Sequence, residues 1–168
     1  ILATEANTTL VYEPAQSGAP TTIAQAGAWV EFRSGNSFKI SANNKIMVAQ
    51  YMLGQEAGGL RGDPAMSLAV ATVQYRNSYL FHAPTNYEAN FVNITAPTGA
   101  TVLLDGTAVT GFTAIGSSGF SIVKAKLPNT GNGNHTVSSA QRVGVSVYGY
   151  GQYTSYWYPG GLDLNIVM

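Results

Sequence analysis

The chain has 168 residues, of which 45% are apolar and only 10% are charged, and its eight Lys and Arg residues balance its eight Asp and Glu residues. This composition predicts a globular protein rather than a disordered one, with enough length for one domain or two small packed units. A net charge near zero leaves no basic surface for nucleic acid, and no apolar run is long enough to insert into a membrane.

The chain contains no cysteine, which excludes disulfide staples and sites built from thiols. Small secreted animal domains are often disulfide-bonded, so a neutral surface rich in Thr, Ser, Asn, Gly and Tyr favours a bacterial extracellular or cell-surface protein. Ile1 follows no basic segment and is not a methionine, so we expect a fragment of a larger protein.

Short segments that alternate apolar and polar residues predict strands along the whole chain. In chain order they are Thr9–Tyr12, Ala28–Arg33, Ser37–Ile40, Ile46–Met52, Asn90–Ile94, Thr101–Leu104, Phe120–Leu127, His135–Val137, Val143–Tyr150 and Leu164–Val167. Asp105-Gly106 predicts a two-residue hairpin turn. One helical turn is predicted at Pro64–Thr72, with Asp63 as its cap. The pattern indicates an all-β, sandwich-like fold.

The two halves of the sequence resemble each other. Residues 42–55 overlie residues 139–152, which places Tyr51 over Tyr148 and Gly54 over Gly151. Further upstream, residues 7–12 overlie residues 99–104. Further downstream, the Gly-Gly-Leu at 58–60 overlies the Gly-Gly-Leu at 160–162, after an insertion in the second half.

We therefore predict two tandem repeats of an antiparallel β-sandwich-like unit. The first spans residues 1–76 with a connecting GGLRGDP segment, and the second spans residues 77–168. Residues 77–92 predict a strand, a turn and a strand that have no counterpart before Ile1. We expect either that these first strands were excised from a longer protein or that another chain supplies a strand. The second case would produce self-association through unpaired strands.

Five segments carry a family resemblance: ATEANTTL (3–10), FKISANNKIMVAQYM (38–52), GDPAM (62–66), QYRNSYLFHAPTNYEANFVNITAP (74–97) and VYGYGQYTSYWYPGGLDL (147–164). They resemble the bacterial IgGFc-binding-like domain family, which is named after the N-terminal region of a mucus protein that binds IgG Fc. The resemblance implies a β-rich extracellular domain for adhesion or recognition within a large bacterial protein. It carries over no catalytic residues, and the name alone does not imply binding to IgG.

Arg61-Gly62-Asp63 matches a well-known integrin-binding signal. Gly62-Asp63-Pro64 also belongs to the family pattern, and it has structural uses: glycine for backbone freedom and Asp63 as a cap. We therefore interpret the tripeptide as structural, since Arg61 alone makes it look like a signal.

An aromatic cluster near the end of the chain is the stronger candidate for a binding site. We predict the binding residues to be Tyr150, Tyr153, Tyr156, Trp157 and Tyr158. The segment after Gly151 is predicted to be a loop that the first repeat lacks. Tyr and Trp provide rigid contact area with a polar group at one end, which suits a protein or glycan on another cell surface. The alternative is that Tyr148 and Trp157 cover the end of the sandwich.

Signals for catalysis are weak. Only His82 and His135 could act as imidazole bases, both lie in or beside strand patterns, and the acidic residues are scattered. No zinc or EF-hand spacing occurs, so we expect no metal and no cofactor; calcium held by Asp163 and backbone carbonyls is a minor alternative. The leading hypothesis is a non-enzymatic adhesion or recognition module. The alternatives are a subunit of an extracellular fibre or tube with strand donation between chains, and a secreted hydrolase.

Overall fold

The structure is a computed structural model that describes residues 1–57 and 62–164. In this part of the chain the regular elements are antiparallel strands and a single 3-10 turn at Thr72–Gln74. The prediction of an all-β fold is confirmed.

The first half contains seven short strands. They are β1 (Leu2–Ala3), β2 (Thr8–Glu13), β3 (Thr22–Ile23), β4 (Lys39–Ala42), β5 (Ile46–Met47), β6 (Ala49–Tyr51) and β7 (Met66–Leu68). They form three small sheets: β1 with β5, β2 between β3 and β4, and β6 with β7. Along β2 burial alternates from residue to residue, so Leu10 and Tyr12 face a small core with Ala3 and Ile23.

The second half contains longer strands. They are β8 (Arg76–His82), β9 (Ala89–Pro97), β10 (Val102–Leu104), β11 (Thr107–Ala108), β12 (Thr113–Ala114), β13 (Phe120–Leu127), β14 (Asn134–Gly151) and β15 (Thr154–Pro159). β14 has 18 residues and serves two sets of neighbours. Its first part pairs with β8 and β10, and its second part pairs with β9 and β15, with a register shift between Ser138 and Val143.

The main core lies between these two sets of strands. Val92, Ile94 and Ala96 project from alternate positions of β9 and are essentially fully buried. Val137 and Val147 project from the two parts of β14 into the same core, so apolar burial holds together the two parts of one curled, eight-stranded antiparallel sheet.

The two halves contact each other through named side chains. The carboxylate of Glu13 accepts a hydrogen bond from the backbone N–H of Ser117 at 2.8 Å. The ammonium of Lys39 lies 5.4 Å from the centre of the Phe120 ring. These contacts place the first half against β13 and the turn before it.

Most predicted strands are confirmed, including Phe120–Leu127 at its stated bounds. Asp105-Gly106 connects paired residues of β10 and β11, as the turn signal predicts. The predicted segments His135–Val137 and Val143–Tyr150 belong to one continuous strand. The predicted strand Leu164–Val167 lies outside the described residues except for its first position.

Two predictions are wrong. Ala28–Arg33 is not a strand: its only ladder contact is a bridge between Trp29 and Leu2, because β1 offers a partner only two residues long. Pro64–Thr72 is not a helical turn, since Met66–Leu68 forms β7 and the 3-10 turn begins only at Thr72. The backbone of this segment makes its hydrogen bonds to β6 instead of within a helical turn.

Candidate functional site

The aromatic cluster lies on the hairpin formed by the end of β14 and β15. The segment after Gly151 is a strand and not the predicted loop, because only residues 152 and 153 separate the paired residues Gly151 and Thr154. Tyr and Trp favour strands, and the backbone groups of this segment form hydrogen bonds with β14. Tyr153 occupies the turn with a φ of 53°, is 68% exposed, and its N–H donates to the side-chain oxygen of Gln55 at 3.0 Å.

Side-chain alternation divides the predicted binding residues between two faces of the hairpin. Tyr156 lies opposite Gly149, and Tyr158 lies opposite the buried Val147. Directly opposed residues share a face, so both tyrosines point inward. Trp157 lies opposite Tyr148 and therefore points outward.

The inward tyrosines use their hydroxyls inside the protein. Tyr156 donates to the side-chain oxygen of Asn90, which is fully buried, and Tyr158 donates to the backbone oxygen of His82. The Tyr156 ring lies against Gly149, where an added Cβ would come within 2.4 Å of a ring carbon. Burial raises the pKa of the Tyr156 hydroxyl, and its neighbours Tyr158 and Tyr87 raise it further.

The outward aromatic face consists of Phe91, Tyr148, Tyr150 and Trp157. Tyr148 stacks on Phe91 with 5.3 Å between ring centres, and Tyr150 meets both rings edge-on. Burial raises the pKa of Tyr148 to about 12, with a further contribution from Tyr150. Within the described residues the hydroxyls of Tyr148, Tyr150 and Tyr153 have no hydrogen-bond partner, and the buried indole N–H of Trp157 has none either.

The Gly-Asp of the integrin-like tripeptide packs against this hairpin. Gly62 has a φ of 83°, donates its N–H to the backbone oxygen of Gly151 at 3.0 Å, and would place an added Cβ 2.6 Å from the hydroxyl of Ser155. The N–H of Asp63 donates to that same hydroxyl at 2.9 Å. Gly62 therefore needs to be glycine, as predicted, but Asp63 caps no helix.

The remaining members of that segment, Arg61 and Gly58–Leu60, lie outside the described residues. In chain order, residues 58–60 precede β7, whereas residues 160–162 follow β15.

A His–Asp pair was not expected from the sequence. His135 is buried, stacks on Phe81, and has its Nδ1 2.7 Å from a carboxylate oxygen of Asp105. Partial burial acts to raise the pKa of Asp105, but hydrogen bonds from His135 and Thr136, with the charge of His135, outweigh it and lower the pKa. His135 Nε2 is buried and has no hydrogen-bond partner among the described residues. Asp105 also accepts a hydrogen bond from the N–H of Thr136, so its carboxylate joins the β10–β11 turn to β14.

The other candidate groups have local partners. His82 Nδ1 lies 3.0 Å from the side-chain oxygen of Asn134. Asp163, the candidate calcium ligand, pairs with Arg142 at 3.1 Å. Across residues 1–57 and 62–164, no three His, Asp or Glu side chains are grouped to hold a metal ion, and no helix is long and apolar enough to cross a bilayer.

These features define a class: an antiparallel all-β domain whose distinctive surface is aromatic rather than charged. A family model described as IgGFc binding protein matches residues 1–149, and the chain belongs to this family. The matched range ends inside β14, so the YPGGLDL segment lies beyond it. No curated protein and no solved structure matches the chain. Members of the family are binding domains that occur in extracellular or secreted proteins, and membership supports a binding or recognition module.

Proposed function

We propose that this chain is a non-enzymatic adhesion or recognition module of a large bacterial surface or secreted protein. Its contact surface would be the outward aromatic face together with Tyr153. One observation carries the assignment: among the described residues the hydroxyls of Tyr148, Tyr150 and Tyr153 have no hydrogen-bond partner, whereas Tyr156 and Tyr158 use theirs inside the protein. Aromatic rings with an unpaired hydroxyl at one end suit recognition surfaces.

The partner we propose is a protein or glycan on another cell surface. Stacked aromatic rings with uncharged hydroxyls suit either, and the balanced charge of the chain favours neither a basic nor an acidic partner. Because the family description names IgG Fc, the Fc fragment is the first protein to test.

The test combines Tyr153→Ala with Tyr150→Phe, which removes one exposed side chain and one hydroxyl that has no hydrogen-bond partner in the described part of the chain. Binding is measured by surface plasmon resonance on Fc, on a glycan array, and on intact cells before and after enzymatic removal of glycans. We expect at least about a tenfold loss of affinity for whichever partner binds the wild type. Leu80→Ala, in β8 and 73% exposed, is the control that retains affinity. Unchanged binding by the double variant would exclude this surface.

We also propose that the chain consists of the two predicted repeats, 1–76 and 77–168. Strand registers support this. The alignment that places Leu10 over Val102 and Ala42 over Ser139 also relates their pairings: Leu10 pairs with Ala42, and Val102 pairs with Ser139.

A second ladder supports the same alignment. Tyr51 overlies Tyr148; Tyr51 pairs with Met66 on β7, and Tyr148 pairs with Trp157 on β15. On this alignment β7 corresponds to β15. The second repeat then has a tight turn where the first has the segment that contains Arg61-Gly62-Asp63.

One observation favours the fibre alternative as a second candidate. Within residues 1–57 and 62–164, β6 pairs with β7 alone, whereas the aligned part of β14 pairs with both β9 and β15. A donated strand could extend β6 by β-augmentation. A synthetic peptide of residues 77–92 should bind the protein and compete with chain-to-chain species in size-exclusion chromatography. Failure of this peptide to bind the protein would exclude strand donation.

A further inference from the structure

The first half carries large apolar side chains that face solvent. Six of them, each between 45% and 70% exposed, form what we call the apolar face: Trp29, Met47, Tyr51, Leu53, Met66 and Leu68. Single exposed apolar residues are ordinary on protein surfaces, so the question is whether these six are contiguous.

Strand register places two members of the apolar face, Trp29 and Met47, near each other. Leu2 bridges to Trp29 on one side and pairs with Met47 on the other. Residues opposed across a ladder project to the same face, so Trp29 and Met47 flank Leu2 on one surface.

The β6–β7 ladder brings three further members of the apolar face together: Tyr51, Met66 and Leu68. Met66 pairs with Tyr51, and Leu68 pairs with Ala49 two residues earlier. All four therefore share one face. Met47 lies two residues before Ala49, and Leu53 lies two residues after Tyr51. The same alternation, continued beyond both ends of β6, would bring all six side chains onto one apolar surface.

The size of the apolar face matches one side of a protein interface. From the exposed fractions, the six side chains present about 600 Å² of surface, at the upper end of the largest patch on an ordinary monomer. A standard stable interface buries about 800 Å² per partner, so a surrounding polar rim would have to supply the remaining area.

The composition of the apolar face allows it to meet a copy of itself. None of its six residues is charged, and the whole chain has equal numbers of acidic and basic residues, so two copies do not repel each other. The aligned surface of the second half differs: Tyr148 and Trp157 are only partly exposed there, and Gly62 packs over the neighbouring Tyr150. Within residues 1–57 and 62–164, nothing comparable covers Tyr51 and Met66.

We propose that the apolar face is the interface between two copies of this chain, packed face to face about a two-fold axis. Such an interface uses the same patch twice, and aligned sheet faces pack through interdigitating side chains. Tyr51 and Met66 lie near the centre of contact. The association is made by side chains on a sheet face, which distinguishes it from strand donation to the edge of β6.

The test is sedimentation velocity on the whole chain from about 1 μM to about 100 μM, a range that detects micromolar association. We expect a reversible monomer–dimer equilibrium. Tyr51→Lys combined with Met66→Lys should raise the dimer Kd at least about a hundredfold, because it buries unpaired charge at the centre of contact. Leu80→Lys is the matched control: an exposed apolar residue outside the apolar face, whose replacement should change Kd less than about twofold.

A second measurement does not depend on the stability of the lysine variant. The chain has no cysteine, so Tyr51→Cys provides a single cross-linking position. We expect oxidation to produce a disulfide dimer from Tyr51→Cys and not from Leu80→Cys. A wild type that stays monomeric throughout, a dimer that survives the two lysines, or a dimer dissociated by the 77–92 peptide but not by the lysines would each overturn the proposal.

Discussion

The two faces of the β14–β15 hairpin carry the same kinds of residue with opposite relationships to their surroundings. On the inward face, the hydroxyls of Tyr156 and Tyr158 bond to Asn90 and to the backbone of His82. On the outward face, Tyr148 and Tyr150 contact other rings, and their hydroxyls have no partner among the described residues. The difference shows that a cluster of tyrosines in sequence is not one site, because strand alternation assigns neighbouring members to the core and to the surface.

The largest effect on the free energy of unfolding is expected at Gly149, where the inward face is most tightly packed. Gly149→Ala would place a Cβ 2.4 Å from the Tyr156 ring and 2.6 Å from the side-chain oxygen of Asn90. We expect the free energy of unfolding to fall by about 3 kcal/mol in urea denaturation, because both groups must move from their places in the core. Gly35→Ala meets nothing within 4 Å and should change it by less than about 1 kcal/mol. Equal effects of the two changes would refute the tight packing of the inward face.

A smaller effect should separate the hydroxyls themselves. Tyr156→Phe should lower the free energy of unfolding by about 1–2 kcal/mol, since it deprives the buried oxygen of Asn90 of its donor. Tyr148→Phe should change it by less than about 0.5 kcal/mol, since its hydroxyl bonds to no described residue. Comparison of the two urea midpoints checks this. If Tyr148→Phe proved as costly as Tyr156→Phe, the outward face would not be a surface with free hydroxyls.

The smallest effect concerns alkaline pH. Burial raises the pKa of Tyr148 to about 12 and also raises that of Tyr156, whereas unfolded tyrosine ionises near pH 10. A pKa raised in the folded state means that stability is complete below pH 10 and declines as pH rises toward the folded pKa. We expect tyrosinate absorbance to lag behind that of the unfolded chain from about pH 10 to about pH 12. Coincident titration curves for folded and unfolded protein would contradict the partial burial of Tyr148 and Tyr156.

The sequence predicted the all-β fold and most strands because apolar alternation is local. It failed at β15. The match between the two Gly-Gly-Leu sequences predicts an inserted loop at residues 151–160, and the unbroken aromatic run Tyr156–Tyr158 lacks the polar–apolar alternation that predicts a strand. The strand found there divides the predicted binding residues between two faces.

Other features could not be predicted from local sequence. The N–H of Asp63 bonds to Ser155, 92 positions away, and His135 pairs with Asp105, 30 positions away. A single sequence contains no local pattern that predicts contact between residues so far apart in the chain. Gly62 is the instructive exception: its need for glycine was predicted, but the reason lies in the side chains of Ser155 and Tyr150 that press against it.

The 18 residues of β14 have a further consequence for how the second half comes apart. Because this one continuous strand pairs with β8 and β10 through its first part and with β9 and β15 through its second part, loss of β14 would remove both sets of hydrogen bonds at once. We therefore expect the two parts of the second half to unfold together. Local opening is expected first at the short strands β11 and β12, which lie at the two ends of the strand order.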